Sequence, residues 1–258
     1  EGSEFAVSGA TRPDGGALML AFMITRDRLS YARRCSTALM RAGLEVVVVD
    51  HGSTYPPMVR WLEWMGRYST TTVVRMPNQH PRDLWGAGNV LERHVPVGER
   101  FVVSDCDVVP DPDCPAGWVA HLGALLDRLP SAKKAGLGLR TDNLPRHFAG
   151  RDRVIEWESQ YQAVTDGGKL NYMPGDGAAT VADVDTTLAM YRGLEPFALG
   201  PSLRTRLPYR ALHLPWYENT AQPTDEQAYY AAHAEHGHWR APDGYIDRHN
   251  LGGNHEVP

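Results

Sequence analysis

The segment of this 258-residue chain most suited to chemistry is the run FVVSDCDVVP at residues 101–110. Within it, Asp105 and Asp107 follow an apolar stretch that is typical of a buried strand. Alternate side chains of an extended chain share a face, so the two carboxylates can point the same way. Two such carboxylates attract a hard divalent cation, which can bridge a diphosphate. We therefore predict a metal site here, the alternative being that both aspartates are turn and cap residues.

The same Asp-x-Asp spacing occurs at two other places, and the surrounding sequence distinguishes them. Asp111 and Asp113 lie in DPDCP, where two prolines predict a turn, so we expect that pair to be solvated. Asp183 and Asp185 lack an apolar run directly before them. They are reserve candidates for the site.

A third carboxylate, Asp50, ends the apolar run in VVVVDHGST. It can accept hydrogen bonds from a base N–H or a ribose hydroxyl, the alternative being an Asx-turn into Gly52 and Ser53. The chain has no GxGxxG, GxxxxGK[ST], HExxH or GxSxG motif, which argues against dehydrogenases, P-loop enzymes, zincins and serine hydrolases. Asp50 therefore suggests a nucleotide held without a dinucleotide fingerprint.

The elements that must position these residues alternate between strand and helix in the first half. The predicted strands are residues 18–24, 44–49, 71–75, 100–104 and 135–139, and the predicted helices are 29–40, 58–66, 83–94 and 118–129. This alternation predicts an α/β fold with a mostly parallel sheet flanked by helices. Ligands bind at the carboxyl ends of such strands. The polar residues at those ends are Thr25, Arg26, Asp50, Asn78, Asp105 and Asp107.

The second half is less regular. We predict a helix over residues 152–161 and strands over 187–191 and 209–214. A further helix is predicted to start at Thr224, because Gln227 three residues later completes a capping box. The tail after Trp239 is rich in Gly, Pro, Asn and His and is expected to be loop-like.

Composition narrows the class of protein further. The net charge of −5 argues against a protein that coats nucleic acid. The three cysteines form no CxxC pair, which suits a reducing compartment, and no apolar run is long enough for a membrane span. Residues 1–9 resemble a cloning scar, and residues 1–16 are expected to be a tag or flexible N-terminus. These observations predict a cytoplasmic protein with no nucleic-acid partner.

Four segments together resemble a GT-A glycosyltransferase of the family-two-like kind. They are the first strand with Thr25-Arg26-Asp27, then VVVVDHGST, MPNQHPRDLWGAGN and FVVSDCDVVP, in this order between residues 18 and 139. The resemblance implies a GT-A, Rossmann-like fold with an irregular acceptor-side second half. It implies a nucleotide-sugar-binding half at 17–140, an acceptor-binding half at 141–245 and a loop-like tail at 246–258.

The resemblance also implies the reaction and the binding residues. The reaction is sugar transfer from a nucleotide diphosphate sugar to the hydroxyl of a carbohydrate or small-molecule acceptor. The residues implied to contact the nucleotide sugar are Thr25, Arg26, Asp50, Asn78, Trp85, Gly86 and Asp105. Asp107 would ligate the metal with Asp105. In this family a histidine from the later part of the chain often completes the metal coordination, which suggests His213 and favours Mn²⁺ over Mg²⁺. The alternative is that His213 is a hydrogen-bonded residue in the wall of the fold.

The catalytic base is less clear, because no Glu-Asp pair follows a Gly-rich acceptor segment. Asp225 and Glu226 are the candidates if the reaction inverts configuration, although carboxylates also cap helix starts. A retaining enzyme, a sugar nucleotidyltransferase and a nucleotide-sugar-binding module are the alternatives.

Aromatic and histidine residues of the second half complete the candidates. An acceptor platform or core packing would each account for the aromatic residues Trp157, Tyr161, Tyr172, Trp216 and Tyr217. The histidines His233, His236 and His238 are interpreted as a solvated helix end.

Overall fold

The computed structural model describes residues 18–68, 71–77, 81–85, 88–162, 165–166, 169–170, 178–219 and 221–233. Strands from both predicted halves join one eight-stranded sheet, in the order β10-β12-β6-β11-β4-β1-β2-β3. Its strands are β1 (Leu20–Thr25), β2 (Glu45–His51), β3 (Thr72–Met76), β4 (Phe101–Asp105), β6 (Lys134–Gly136), β10 (Ala179–Val181), β11 (Ala189–Tyr191) and β12 (Ser202–Thr205).

The sheet is mostly parallel. Strands β1 to β4 run in one direction, and β6 and β12 run the same way because each is separated from β4 by antiparallel pairing through β11. Only β10 and β11 of this sheet run in the opposite direction. The carboxyl ends of six strands therefore lie at one edge, and the predicted α/β fold is confirmed.

A smaller sheet links the two halves at this edge. It contains β5 (Val108–Pro110), β13 (Arg210–His213) and β7 (Gly138–Leu139), with β13 in the middle. His213 is opposite Val108 in the antiparallel pair, and Arg210 is opposite Gly138 in the parallel pair. A further two-stranded ribbon is formed by β8 (Thr165–Asp166) and β9 (Lys169–Leu170).

Helices cover both faces of the large sheet. One buried cluster contains residues of α1 (Leu29–Arg41), α2 (Pro56–Tyr68), α4 (Trp118–Arg128) and α5 (Arg151–Gln162), and the other contains residues of α3 (Val90–His94). The last helix, α6 (Asp225–His233), has no buried residue. Along β1, Ala21 and Met23 pack in one buried cluster, while Phe22 and Ile24 pack in another on the opposite face. This two-sided burial explains why β1 is a continuous apolar run. Within the described residues, no helix has the length and apolar character needed to cross a bilayer.

Two predicted elements are wrong in detail. The helix predicted over 83–94 is a 3₁₀ turn, Pro81–Leu84, followed later by the short α3. The strand predicted over 135–139 is two strands, β6 and β7, that belong to different sheets. The chain changes sheets at Leu137, and a Cβ atom on Gly138 would lie 2.4 Å from the carbonyl oxygen of Thr205. Glycine permits this close backbone approach, which apolar periodicity does not reveal.

Candidate functional site

The predicted polar residues after β1, β2 and β4 meet at the carboxyl edge of the sheet. Thr25 is opposite Asp50 in the β1–β2 pair, and Ile24 is opposite Asp105 in the β1–β4 pair. The three polar side chains thus stand on three neighbouring strands. Parallel pairing produces this placement, because neighbouring strands that run in the same direction have their carboxyl ends at the same edge of the sheet.

Asp107 and His213, two side chains of types that can bind metals, lie close together at this edge. Nε2 of His213 lies 3.6 Å from Oδ2 of Asp107. The pairing of β5 with β13 produces this contact, and the Leu214 N–H donates a 2.8 Å hydrogen bond to the Asp107 carbonyl. Burial lowers the pKa of His213, although the nearby Asp107 charge opposes that effect. The imidazole is therefore favoured in the neutral form that metal binding requires.

Asp105 is oriented by a different neighbour. The hydroxyl of Thr186 donates a 2.6 Å hydrogen bond to Oδ2 of Asp105, and the Asp105 N–H donates to the Thr186 carbonyl at 3.2 Å. The carboxylate is therefore held towards the loop before β11. No local pattern in the sequence indicates Thr186, because its contact with Asp105 depends on β11 pairing beside β4.

The donor set was tested against the predicted divalent cation. Within the described part of the chain, no group of three or more His, Cys, Asp or Glu side chains is arranged to hold a metal ion. Asp107 and His213 supply two ligands, one oxygen and one nitrogen. Cations at phosphate-transfer sites are commonly held by one or two protein carboxylates together with substrate phosphates. The pair fits a cation that is bound with a substrate diphosphate rather than in a closed protein cage.

Arg28 is a cation at this edge that the sequence analysis did not identify. Its Nη1 atom lies 3.7 Å from Oδ2 of Asp107. The guanidinium stacks over the ring of Tyr230 at 3.9 Å and lies 5.2 Å from the ring centre of Tyr31. Two aromatic faces thus hold a positive charge beside the candidate metal pair, a favourable position for a phosphate.

Arg26 and Asp27 are buried and serve to join loops. Nη2 of Arg26 donates to the carbonyl of His233 at 3.1 Å. Asp27, which has a positive φ of 52°, accepts hydrogen bonds from the N–H groups of Thr54 and Tyr55 at 2.6 and 2.7 Å. These contacts satisfy backbone donors at the start of α2. The turn after β1 is therefore fixed to the turn after β2.

Asp50 is completely buried under Arg75. Nε of Arg75 lies 3.2 Å from Oδ2 of Asp50, and the Ser53 N–H donates to the carboxylate at 3.2 Å. Burial raises the pKa of Asp50 above its ordinary value, although Ser53 and Arg75 oppose that effect. Arg75 is 43% exposed, so it, rather than Asp50, presents polar atoms to solvent. Its position opposite Asp50 in the β2–β3 register is the signal that sequence analysis missed.

Trp85 belongs to the hydrophobic core next to this edge. It is 9% exposed and packs against the rings of Tyr191 and Phe197, with centroid distances of 5.5 and 5.0 Å. The other two residues predicted on this segment, Asn78 and Gly86, lie outside the described residues.

Helix α6 lies across the turns after β1 and β2. The Glu226 carboxylate accepts hydrogen bonds from the N–H and hydroxyl of Ser30, in the first turn of α1. The Tyr229 hydroxyl bonds to Oγ1 of Thr54 at 3.1 Å. Asp225 is exposed and makes no hydrogen bond or ion pair with residues that the structure describes. The predicted capping box is confirmed by bonds in both directions between Thr224 and Gln227.

The other aspartate pairs have separate surroundings. Asp111 is buried and bonds to Nη1 of Arg140, which also contacts the exposed Asp113 at 2.9 Å. The prediction that both are solvated is therefore wrong for Asp111, because a distant arginine neutralises it. The carbonyl of Asp183 accepts a 2.6 Å bond from Nε of Arg204.

The predicted aromatic residues divide between core and edge. Trp216 is buried against His213, at a ring-centroid distance of 4.7 Å. Tyr217 donates a 2.6 Å hydrogen bond to Asn143, and Trp157 contacts Tyr161 edge to face at 6.1 Å. Outside the described residues lie Tyr172, His236 and His238, whereas His233 is exposed at the end of α6.

No protein-family model and no curated protein matches the sequence. The chain is similar in structure to the mannosyltransferase PcManGT from Pyrobaculum calidifontis, solved with GDP-Man and Mn²⁺ (TM-score 0.39, 19% identity, covering 73% of this chain and 48% of that one). It is also similar to GalNAc-T7 solved with UDP, GalNAc and Mn²⁺ (TM-score 0.44, 13% identity, covering 91% of this chain and 53% of that one). A third similar structure is the UTP-bound UGPase from Acinetobacter baumannii (TM-score 0.43, 10% identity, covering 76% of this chain and 88% of that one). The chain thus spans about half the length of the first two. All three TM-scores are below 0.5, so they carry no argument for an activity of this chain.

Proposed function

We propose that this protein is a GT-A-type glycosyltransferase that moves a sugar from a nucleotide diphosphate sugar to an acceptor hydroxyl. The observation that carries the proposal is the 3.6 Å contact between Asp107 and His213 at the carboxyl edge of the sheet. A carboxylate ligand and a neutral imidazole ligand at this position suit a cation that also binds a diphosphate.

Asp107 and His213 would hold the divalent cation, with Asp105 alongside on β4. A bound Mn²⁺ or Mg²⁺ would supply electrostatic stabilisation for the negative charge that develops on the leaving diphosphate. Arg28 supports the same chemistry from the protein itself, because its guanidinium already lies beside Asp107. A fixed guanidinium stabilises phosphate oxygens through charge-assisted hydrogen bonds.

The nucleoside would bind over the ends of β1, β2 and β3. Arg75 is the exposed polar group there, and Asp50 positions it through the 3.2 Å ion pair. We therefore assign Asp50 to orienting Arg75 and the loop at Ser53, and Arg75 to contacting the base or ribose. Thr25, the last residue of β1, and Arg26, directly after it, are buried next to this region.

Asp225 is our first candidate for the base of an inverting reaction. It is exposed, whereas the neighbouring Glu226 is occupied by two donors of Ser30. A base must be accessible to the acceptor hydroxyl whose proton it removes. Asp183 and Asp185 are the reserve candidates. A retaining reaction would need none of these carboxylates as a base.

The proposal is tested by incubating the chain with a panel of nucleotide diphosphate sugars, with and without Mn²⁺. A donor should raise the midpoint of thermal unfolding only when the metal is present, because a ligand that binds the native state stabilises it. Turnover should release a nucleoside diphosphate. Formation of a nucleoside triphosphate and a sugar 1-phosphate when pyrophosphate is added to the nucleotide sugar would instead support a sugar nucleotidyltransferase.

Three further outcomes complete the test. Metal-dependent donor binding without turnover over a broad acceptor panel would support a binding module. Failure of every donor to bind with Mn²⁺ would contradict the proposal. The anomeric configuration of the product, determined by NMR, distinguishes inversion from retention.

A further inference from the structure

A cavity of about 180 Å³ lies at the same edge of the sheet, on the side away from Asp50. It is bounded by the carboxyl end of β12 and by β7, α5 and the start of β13. The charged and hydroxyl-bearing residues that line it are Glu158, Tyr161, Thr180, Arg204, Thr205, Arg206 and Arg210. Three arginines against one glutamate leave an excess of positive charge at its wall.

Strand β13 connects this cavity to the candidate metal pair. Arg210, the first residue of β13, lines the cavity, and His213, its last residue, contacts Asp107. Three residues of strand span about 10 Å. That separation along the strand is about the length of one or two sugar residues, and Arg210 and His213, an odd number of positions apart, project to opposite faces of β13.

Arg204 gives the cavity a rigid wall. Its Nη1 atom pairs with Oε2 of Glu158 at 2.9 Å, its Nε donates to the Asp183 carbonyl at 2.6 Å, and its guanidinium stacks on Tyr161 at 3.8 Å. Arg204 and Glu158 therefore neutralise each other. The other two arginines of the lining are Arg206 and Arg210.

Arg210 is held at the rim by a carboxylate from outside the cavity. Its Nη1 atom lies 3.0 Å from Oδ1 of Asp142, whose side chain is 56% exposed. An ion pair to an exposed carboxylate is weak and leaves the arginine available to a stronger anionic partner.

Thr180 is the second, independent indication of a ligand. Its residue is 2% exposed, and Oγ1 has no hydrogen-bond partner among the residues that the structure describes. A buried hydroxyl without a partner is costly, so such a group usually has a ligand or water partner. Thr180 lines the cavity directly opposite Arg204 in the β10–β12 pair.

We propose that this cavity binds an anionic substituent of the acceptor, a carboxylate or a phosphate carried on a sugar, through Arg206, Arg210 and the Thr180 hydroxyl. The inference rests on the proposed transferase function, because it assigns the cavity to the acceptor. It names the acceptor as an acidic carbohydrate.

The test measures direct binding of small probes by NMR, without a donor. Methyl β-D-glucuronide and glucose 6-phosphate are compared with neutral methyl β-D-glucoside and with inorganic phosphate. The acidic sugars should bind about tenfold more tightly than the neutral sugar, the difference expected from one charge-assisted hydrogen bond. The two acidic sugars distinguish carboxylate from phosphate, and inorganic phosphate measures binding of the anion alone.

Two variants and a matched control connect the binding to these residues. Arg210→Gln should lower the affinity for the acidic sugar about tenfold. Thr180→Val should lower it about threefold while leaving the unfolding midpoint unchanged or higher, since the removed hydroxyl has no hydrogen-bond partner in the described part of the chain. Arg60→Gln, on the exposed side of α2, should change neither quantity.

The inference is overturned if no acidic sugar binds, if the neutral sugar binds equally well, or if the preference survives in both variants. These outcomes leave the donor experiment unaffected. Conversely, acidic-sugar binding in a chain that never binds a donor with Mn²⁺ would contradict the transferase and leave an anion-binding cavity. The two failures are thus distinguishable.

Discussion

His213 Nε2 lies 3.6 Å from Asp107 Oδ2, although the two residues come from opposite halves of the chain. The contact exists because β13 returns from the second half to pair with β5, directly after the Asp105-x-Asp107 turn. A site shared in this way depends on the correct packing of both halves.

Removing either member of this pair should abolish metal-dependent donor binding. Asp107→Asn and His213→Gln each remove a ligand, so we expect the Mn²⁺-dependent thermal shift to disappear and turnover to fall at least about 100-fold. The unfolding midpoint without ligands should change little. Asp113→Asn is the matched control, because it changes an exposed aspartate of the same spacing outside the site. Near-normal turnover of Asp107→Asn with Mn²⁺ present would refute the assignment.

Replacing the candidate base should slow the reaction without affecting the fold. Asp225→Asn removes an exposed carboxylate that has no bonded partner among the described residues, so kcat should fall about 100-fold or more at an unchanged unfolding midpoint. Glu226→Gln, which keeps an oxygen acceptor for Ser30, should retain most of kcat. Equal kcat values for Asp225→Asn and the wild type would transfer the role to Asp183 or Asp185, or favour a retaining reaction.

The hydrogen bonds between Glu226 and Ser30 should contribute to the free energy of unfolding. Glu226→Ala leaves a backbone donor in the first turn of α1 unsatisfied and removes a negative charge from its N-terminus, so unfolding should become easier by about 1 kcal/mol. Urea titrations of Glu226→Ala, Ser30→Ala and the double variant measure the coupling. Fully additive effects would mean that α6 does not hold α1 in solution.

Asp50 should make the protein less stable as pH rises through the acid range. Burial raises the pKa of this carboxyl in the folded state, so the folded chain keeps its proton to a higher pH than the unfolded chain does. Between the ordinary and the raised pKa the unfolding free energy therefore decreases with increasing pH. Asp50→Asn should make that slope smaller, as measured by urea unfolding at several pH values, while Glu45 and Glu158, whose pKa values burial also raises, keep contributing to it. A wild-type slope in the variant would show that Asp50 does not titrate in this way.

Gly138 should tolerate no side chain. Its Cβ would meet the Thr205 carbonyl at 2.4 Å, so Gly138→Ala should cost about 1–3 kcal/mol of stability and weaken binding in the cavity. Gly117→Ala is the control, since nothing lies within 4 Å of a Cβ there and its φ is −79°. Comparable unfolding midpoints for the two variants would contradict the close approach.

Local pattern predicted much of the first half. Strands β1, β2 and β4 follow from apolar runs that are buried on both faces, and the parallel sheet follows from the alternation of strands with helices. The edge strand β3 is only partly buried. The positions of Asp50 and Asp105 at strand ends follow from the same pattern. These features are local, because burial and backbone hydrogen bonding act on each segment as a whole.

The local sequence pattern did not predict which residues these carboxylates contact. Asp50 is covered by Arg75, Asp105 is bound by Thr186, and Glu226 is bound to Ser30 rather than exposed. Each partner is a common polar residue on an element that is distant in the chain. Its identity depends on strand order and register.

The sequence by itself determined a mostly parallel α/β sheet and an edge that carries carboxylates. Only the tertiary structure decided which carboxylate has an imidazole beside it, which is buried beneath an arginine, and where three arginines and a buried threonine hydroxyl line a cavity. The physical reason is range: periodic burial is encoded within a segment, whereas contacts between side chains exist only after distant segments have paired.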